Sequence, residues 1–258
     1  MLSVLIRTKN EIENIERAIN SVRNIAQEII VLDDGSTDGT VEKAKSLGAK
    51  VFNLKEKLNY PEKLNYGINL CKNEWIFILD ADEEVSEELR DSIISELKNP
   101  KFKAYEVTRK TYYLGKFLNH AWYPEWRLRL FKKGTVYFEG EVHEKPVYKG
   151  KIGRLKGDLF HYSFKSLKHQ YLKNVNYAYG MALYLFKNGK RFRFYNLIFN
   201  PIWSFTKVFF LKLGFLDGFR GFLVAVSAFI YTFLKYLFLL ELELKEKYGE
   251  NLWRRKNS

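Results

Sequence analysis

Cysteine is nearly missing from these 258 residues: Cys71 stands alone, so no internal disulfide framework exists and no pair of thiolates is available for a structural zinc site. Cys71 reads as a small core residue in a reducing compartment. Five prolines and the lack of any repeat exclude fibrous and solenoid classes. The first glycine is Gly35, which argues against a nucleotidyltransferase, an enzyme that would carry a glycine-rich phosphate loop after its first strand. The first apolar run, residues 2–6, is too short for a signal peptide and is followed by Arg7 and Lys9, so the chain is expected to start in the cytosol. No uncharged run reaches the roughly 20 residues that span hydrocarbon; the longest, residues 221–234, has 14. Acidic residues become scarce after position 100. Residues 1–100 carry a net charge of −6 and residues 101–258 a net charge of +19, for a total of +13. What is present is enough to fold: 47% hydrophobic and 28% charged residues exclude disorder, and the basic half implies an anionic partner, either nucleic acid or an acidic membrane face.

In the first hundred residues, short apolar runs alternate with helix-period segments. Residues 2–6, 28–32, 50–54 and 75–79 read as strands buried on both faces, and residues 11–26, 40–47, 61–72 and 86–97 as helices. This alternation predicts an α/β domain with a mostly parallel sheet, whose ligands sit beyond the carboxyl ends of the strands. Polar residues gather at those ends: Arg7-Thr8-Lys9-Asn10-Glu11, then Asp33-Asp34-Gly35-Ser36-Thr37-Asp38-Gly39-Thr40, then Asp80-Ala81-Asp82-Glu83-Glu84. Turn chemistry alone does not ask for adjacent carboxylates at a buried strand end, where repulsion is costly unless a ligand supplies donors. The paired carboxylates of Asp80 and Asp82 suit a hard divalent cation completed by water and phosphate.

Ser3-Val4-Leu5-Ile6-Arg7-Thr8-Lys9-Asn10-Glu11, Val31-Leu32-Asp33-Asp34-Gly35-Ser36-Thr37-Asp38-Gly39-Thr40 and Ile78-Leu79-Asp80-Ala81-Asp82-Glu83 resemble the family-2 glycosyltransferases of the GT-A fold. The resemblance is specific over residues 1–100 and looser to about residue 165. Asp80-Ala81-Asp82-Glu83, Trp126-Arg127-Leu128-Arg129-Leu130-Phe131 and Val142-His143-Glu144 are similar to the branch that adds glucose to lipopolysaccharide core. The resemblance implies transfer of a sugar from a nucleotide-diphosphate donor, a UDP-sugar, to an acceptor hydroxyl with inversion. By the same resemblance Asp34 contacts uracil with Thr8 close by, Asn10 and Glu11 belong to the same nucleotide-binding tip, and Asp80 faces the ribose. Asp82 ligates Mg2+ or Mn2+, Lys63 and Asn65 occupy a donor-loop position, and His161 adds a metal or diphosphate contact. The general base is a carboxylate, with Glu144 expected and Glu141 in reserve. Arg127 and Arg129 alternate with leucines on one strand, so both point to one face, where guanidinium forks suit phosphate or acceptor oxygens.

From residue 195 to 240 the composition changes: 14 of the chain's 43 aromatic residues lie here with only five charges, Lys207, Lys212, Asp217, Arg220 and Lys235. Pro201 and the Gly214, Gly218 and Gly221 series predict two or three helices with breaks between them. Aromatic-rich helices dotted with cations read as an in-plane or re-entrant membrane anchor. The expected organisation is a GT-A domain over residues 1–165, with a nucleotide-binding half (1–100) and an acceptor half (101–165), then a helical membrane-associating region over 166–258. The expected partners are a nucleotide-sugar donor, a lipid-linked saccharide acceptor such as lipopolysaccharide inner core, and an anionic membrane surface at the cytoplasmic face of the inner membrane, with no nucleic acid. A polyprenyl-phosphate sugar synthase is the alternative within the broad family; a nucleotidyltransferase or a basic binding module stands further off.

Overall fold

The short β-branched runs become strands covered on both sides. In the computed structural model, which describes residues 1–54, 58–140, 145–249 and 252, the first of them is β1 (Leu2–Thr8). It is followed in strict alternation by α1 (Ile15–Val22), β2 (Glu28–Asp33), α2 (Thr40–Ser46), β3 (Lys50–Asn53), α3 (Tyr60–Leu70) and β4 (Trp75–Asp80). Next come β5 (Glu83–Val85), α4 (Glu87–Lys98), β6 (Ala104–Tyr113), β7 (Lys116–Phe117), β8 (Glu125–Lys132), β9 (Tyr137–Glu139), β10 (Lys145–Val147) and β11 (Gly153–His161). The main sheet runs β3-β2-β1-β4-β8-β6-β11-β5. Its first four strands are parallel, as the alternation predicts, while β8 joins β4 and β6 antiparallel. Alternate side chains of β1 serve two cores: Val4 and Ile6 pack with Ile15, Ile19, Leu89 and Ile93 of α1 and α4, and Leu5 packs with Leu64 and Ile68 of α3. Helix α1 is shorter than the periodicity over residues 11–26 predicts, because the Asn14 and Ile15 amides close a turn on the Glu11 carbonyl before it starts.

The chain forms two units. One comprises residues 1–112 and 124–163 and holds the main sheet; the other comprises residues 113–123 and 164–258. In the second, α5 (Leu167–Lys187), α6 (Phe194–Thr206) and α7 (Phe219–Tyr248) are the main elements. Pro201 does not break α6 but lies buried inside it. The break falls after it, in a π turn (Lys207–Leu211) and a 3-10 turn (Gly214–Asp217). Gly221 sits in the first turn of α7, where a β-carbon would stand 1.7 Å from the Gly214 carbonyl oxygen. Helix α7 then continues for 30 residues through Lys235, long and apolar enough to cross a membrane. The 14-residue limit read from the sequence concerned the uncharged run; the helix itself does not stop there.

The second unit has an apolar core around Leu118, Val208 and Val224, yet it also buries polar side chains and exposes many large apolar ones. Helix α7 packs on α5 and α6 through Gly221, Val224, Ala225, Ser227 and Thr232. Gln170 and Asn174 of α5 donate to the Ser227 hydroxyl, the Tyr113 hydroxyl donates to Gln170, and Ser204 and Thr232 are 2.8 Å apart. Outside, Phe194, Phe199, Trp203, Leu211, Leu216 and Phe219 are all more than half exposed. Small and polar residues inside with large apolar residues outside is the pattern of helices packed in an apolar medium, and exposed apolar surface on this scale marks an interaction site.

Candidate active site

Three neighbouring strands deliver their polar ends to one edge of the sheet in the first unit. Thr8 is the register partner of Asp33, and Arg7 of Asp80. Beyond β2, Asp33 folds its own loop: Oδ2 accepts from the Gly35 and Ser36 amides, each at 3.0 Å, and Gly35 takes φ +80°, which a side chain would resist. Asp38 accepts from the amides of Ile12 and Thr40 and from the Thr40 hydroxyl. Its slight burial works against the charge, but those bonds win and hold its carboxyl below the usual range. Asn10 ties the two loops together, its amide donating to Ser36 Oγ and its side chain accepting from the Thr37 amide, both at 2.8 Å. Glu11 gives its amide to Thr40 Oγ1, and its carboxylate accepts from Asn14. Both residues, expected at the nucleotide, are engaged in tying together the loops that follow β1 and β2.

Two buried atoms on this edge have no partner among the described residues: Thr8 Oγ1 and Asp33 Oδ1. A buried unpaired carboxylate oxygen and hydroxyl cost roughly 1–3 kcal/mol each, which a ligand bearing donors would recover. Asp34 lies beside them, with its amide bonded to the Thr8 carbonyl and its carboxylate paired with Lys63 and, at 3.9 Å, with Lys9. Asp34 and Lys63, expected on the same nucleotide, are thus brought together. Asn65 has both ends of its amide on the Phe138 backbone, accepting from the amide and donating to the carbonyl, so it holds β9 rather than pointing outward.

At the end of β4 the carboxylates divide. Asp80 accepts from Arg7 Nε at 2.8 Å and from Arg129 at 2.8 Å, and its amide donates to Glu83. Arg129 also donates to Glu83 at 2.6 Å, while Arg109 reaches both Glu83 and Glu125. Burial works against ionising Asp80, but Arg129 and Arg7 outweigh it and hold the carboxyl far below the usual range. Burial, with the negative charge of Asp80 behind it, pushes Glu83 up despite Arg129. Arg129, expected on phosphate or acceptor oxygens, is therefore spent inside the protein. Arg127 on the same strand is half exposed and pairs with Glu125. This network of Arg7, Glu83, Arg109 and Glu125 is not legible in the amino-acid order, because it depends on β1, β4, β8 and β6 becoming neighbours.

Asp82 instead meets His161, with Oδ2 and Nε2 3.3 Å apart. The pairing of β11 with β5 places His161 opposite Glu83, and the Tyr162 amide donates to the Asp82 carbonyl. The Ser163 hydroxyl lies 2.6 Å from His161 Nδ1 and 3.0 Å from Nε2, against the edge of the ring between the two nitrogens. Adjacent ligands on an octahedral ion with bonds of about 2.1 Å stand about 3 Å apart, so this oxygen and nitrogen fit two cis positions of a divalent cation. No cluster of three or more His, Cys, Asp or Glu side chains suited to a metal occurs among the described residues, so substrate and water would complete such a shell. The candidate bases Glu141 and Glu144 lie outside the described residues, between β9 and β10 in the chain.

The model of glycosyl transferase family 2 matches residues 3–187. An uncharacterised glycosyltransferase of Rickettsia typhi is 36% identical over 95% of this chain and 89% of its own. The lipopolysaccharide core biosynthesis glycosyltransferase LpsC of Rhizobium meliloti is 30% identical over 90% of this chain and 89% of its own. Among solved structures, glucosyl-3-phosphoglycerate synthase of Mycobacterium tuberculosis, in complex with Mn2+, UDP and glucosyl-3-phosphoglycerate, is 23% identical. It superposes with a TM-score of 0.37 over 45% of this chain and 44% of its own.

Proposed function

This chain belongs to glycosyl transferase family 2, and from that footing we propose that it moves a sugar from a UDP-sugar to a hydroxyl of a lipid-linked saccharide, in the manner of lipopolysaccharide core assembly, with inversion. The observation that carries the reading is the shared edge of β1, β2 and β4, whose strand ends carry unpaired Thr8 Oγ1 and Asp33 Oδ1, the Asp34 carboxylate and, just beyond β4, the Asp82–His161 pair. Thr8, Asp33 and Asp34 offer a hydroxyl and carboxylate acceptors to the imide and amide groups of a base. Asp82 and His161 would hold Mg2+ or Mn2+, which supplies positive charge to the departing diphosphate. Glu144, or Glu141 in its place, takes the proton of the attacking acceptor hydroxyl. The core-assembly acceptor draws support from the likeness to LpsC and from the apolar exterior of the second unit. That exterior supports contact with a membrane, and the seat proposed for the protein is the cytoplasmic face of the inner membrane, as a peripheral or monotopic protein.

Titration of UDP in the presence of Mn2+ tests the site. Asp82→Ala should weaken metal-dependent UDP binding at least tenfold with no change in chelator. Glu144→Gln should keep that binding and lower transfer to a lipopolysaccharide acceptor on the order of a hundredfold. Unchanged UDP affinity in Asp82→Ala sinks the metal assignment; full turnover in Glu144→Gln moves the base to Glu141.

A further inference from the structure

In the second unit, Lys116 of β7 and Arg220 of the first turn of α7 line a cleft of about 370 Å3 whose walls are residues 117–119 and 216–219. The volume is at the low end for small-molecule sites, enough for a headgroup. Asp217 is the single acid in the lining, and its carboxylate accepts from the backbone amides of Asn119 and His120 at 2.9 and 3.0 Å. Those two bonds pin the loop to the 3-10 turn and fix the cleft's width. Arg220 is anchored from one side, its Nε donating to the Leu114 carbonyl at 2.8 Å. Lys116 is exposed and has no partner among the described residues. Around the mouth stand Leu216 and Phe219, both more than half exposed, with exposed Phe210 and Leu211 in the turn that precedes them.

A guanidinium and an ammonium facing a single carboxylate leave the lining with a net positive charge, which favours an oxyanion with several acceptor atoms, and exposed apolar side chains at the rim favour hydrocarbon attached to it. We propose that this cleft seats the phosphate-bearing headgroup of a membrane lipid, with its chains against Leu216 and Phe219. The proposal rests on the reading above that the second unit meets a membrane, and it adds what that reading leaves open: recognition of phosphate as such, beyond general attraction to negative charge.

The test is cosedimentation of the full chain with vesicles of an uncharged galactolipid doped either with phosphatidate or with oleate, matched in surface potential. The intact protein should bind phosphatidate vesicles about tenfold more tightly, since one net hydrogen bond to a charged group is worth roughly that factor. Lys116→Ala, at an exposed position, should bring the two lipids to parity, while Lys212→Ala, outside the cleft, should weaken both alike. Equal binding of the intact protein to both vesicles, or a preference that survives Lys116→Ala, overturns the cleft assignment alone. Failure to bind either vesicle overturns the membrane reading and the cleft with it. A preference that persists in millimolar inorganic phosphate at fixed ionic strength supports a lipid occupant; its abolition reassigns the cleft to free phosphate and overturns the lipid.

Discussion

Asp80 and Asp82 are separated by one residue and meet opposite chemistry. Arg7 and Arg129 bracket Asp80 and keep it charged, whereas Asp82 is set against a histidine. The arginines thereby reduce what would be mutual repulsion among Asp80, Asp82 and Glu83, and leave Asp82, the proposed cation ligand, to His161. Removing Arg129 leaves the part-buried Asp80 with Arg7 alone and the buried Glu83 with Arg109 at 3.6 Å, and breaking such a group costs up to about 3–5 kcal/mol. Arg129→Leu should therefore lose roughly that much stability at pH 7 in urea melts. The sign of its pH dependence follows from the directions of the shifts. The depressed Asp80 carboxyl contributes stability that is present above its unfolded pKa and lost only as pH falls through the lower folded value. Without Arg129 that carboxyl and the already raised Glu83 take up protons more readily, so the deficit should shrink from pH 7 to pH 5. An equal deficit at both would assign the loss to packing. At this scale the residue types at the strand ends were legible, but their partners were not: Arg7 and Asp80, 73 positions apart, meet only through the parallel register of β1 and β4.

At the scale of an element, the helices of the second unit use glycine in two ways. Gly221 is required for space, since the Gly214 carbonyl occupies the position a side chain would take, and the turn before α7 closes only without one. Gly180, inside α5, has open space around it and an ordinary helical backbone. Gly221→Ala should destabilise the protein by about 1–3 kcal/mol through this overlap, and Gly180→Ala should stabilise it by roughly 0.5–1 kcal/mol through backbone entropy. Thermal melts that shift the same way for both would show that the turn opens at no cost. The glycine series was visible in the sequence as a break. That Gly214 and Gly221 touch, and that Pro201 lies within a continuous helix, came from the packing of α6, the turns and α7 on one another.

For the whole molecule, every described residue assigned to the donor site belongs to the first unit, which holds two cores of its own, and the exposed large apolar residues of α5, α6 and α7 belong to the second. Truncation after Ser163 removes α5 as well as α7, because Gln170 and Asn174 would otherwise lose Ser227. The truncated chain should keep metal-dependent UDP affinity within about threefold and lose vesicle binding, as expected if the apolar surface supplies the attachment. Loss of UDP binding would make the helical unit part of the donor site. The sequence by itself determined the alternation of strands and helices, the acidic loops at the strand ends and the apolar tail. Those depend on local spacing, on the 2.0 and 3.6 residue periods, and on turn residues that act over a few positions. Only the tertiary structure decided that Arg129 is spent on Asp80 and Glu83, that Asp82 meets His161 across 79 positions, and that the tail turns its large apolar residues outward. Ion pairs between strands and the facing of helices are set by which elements become neighbours, and sheet order and helix packing are properties of the folded chain as a whole.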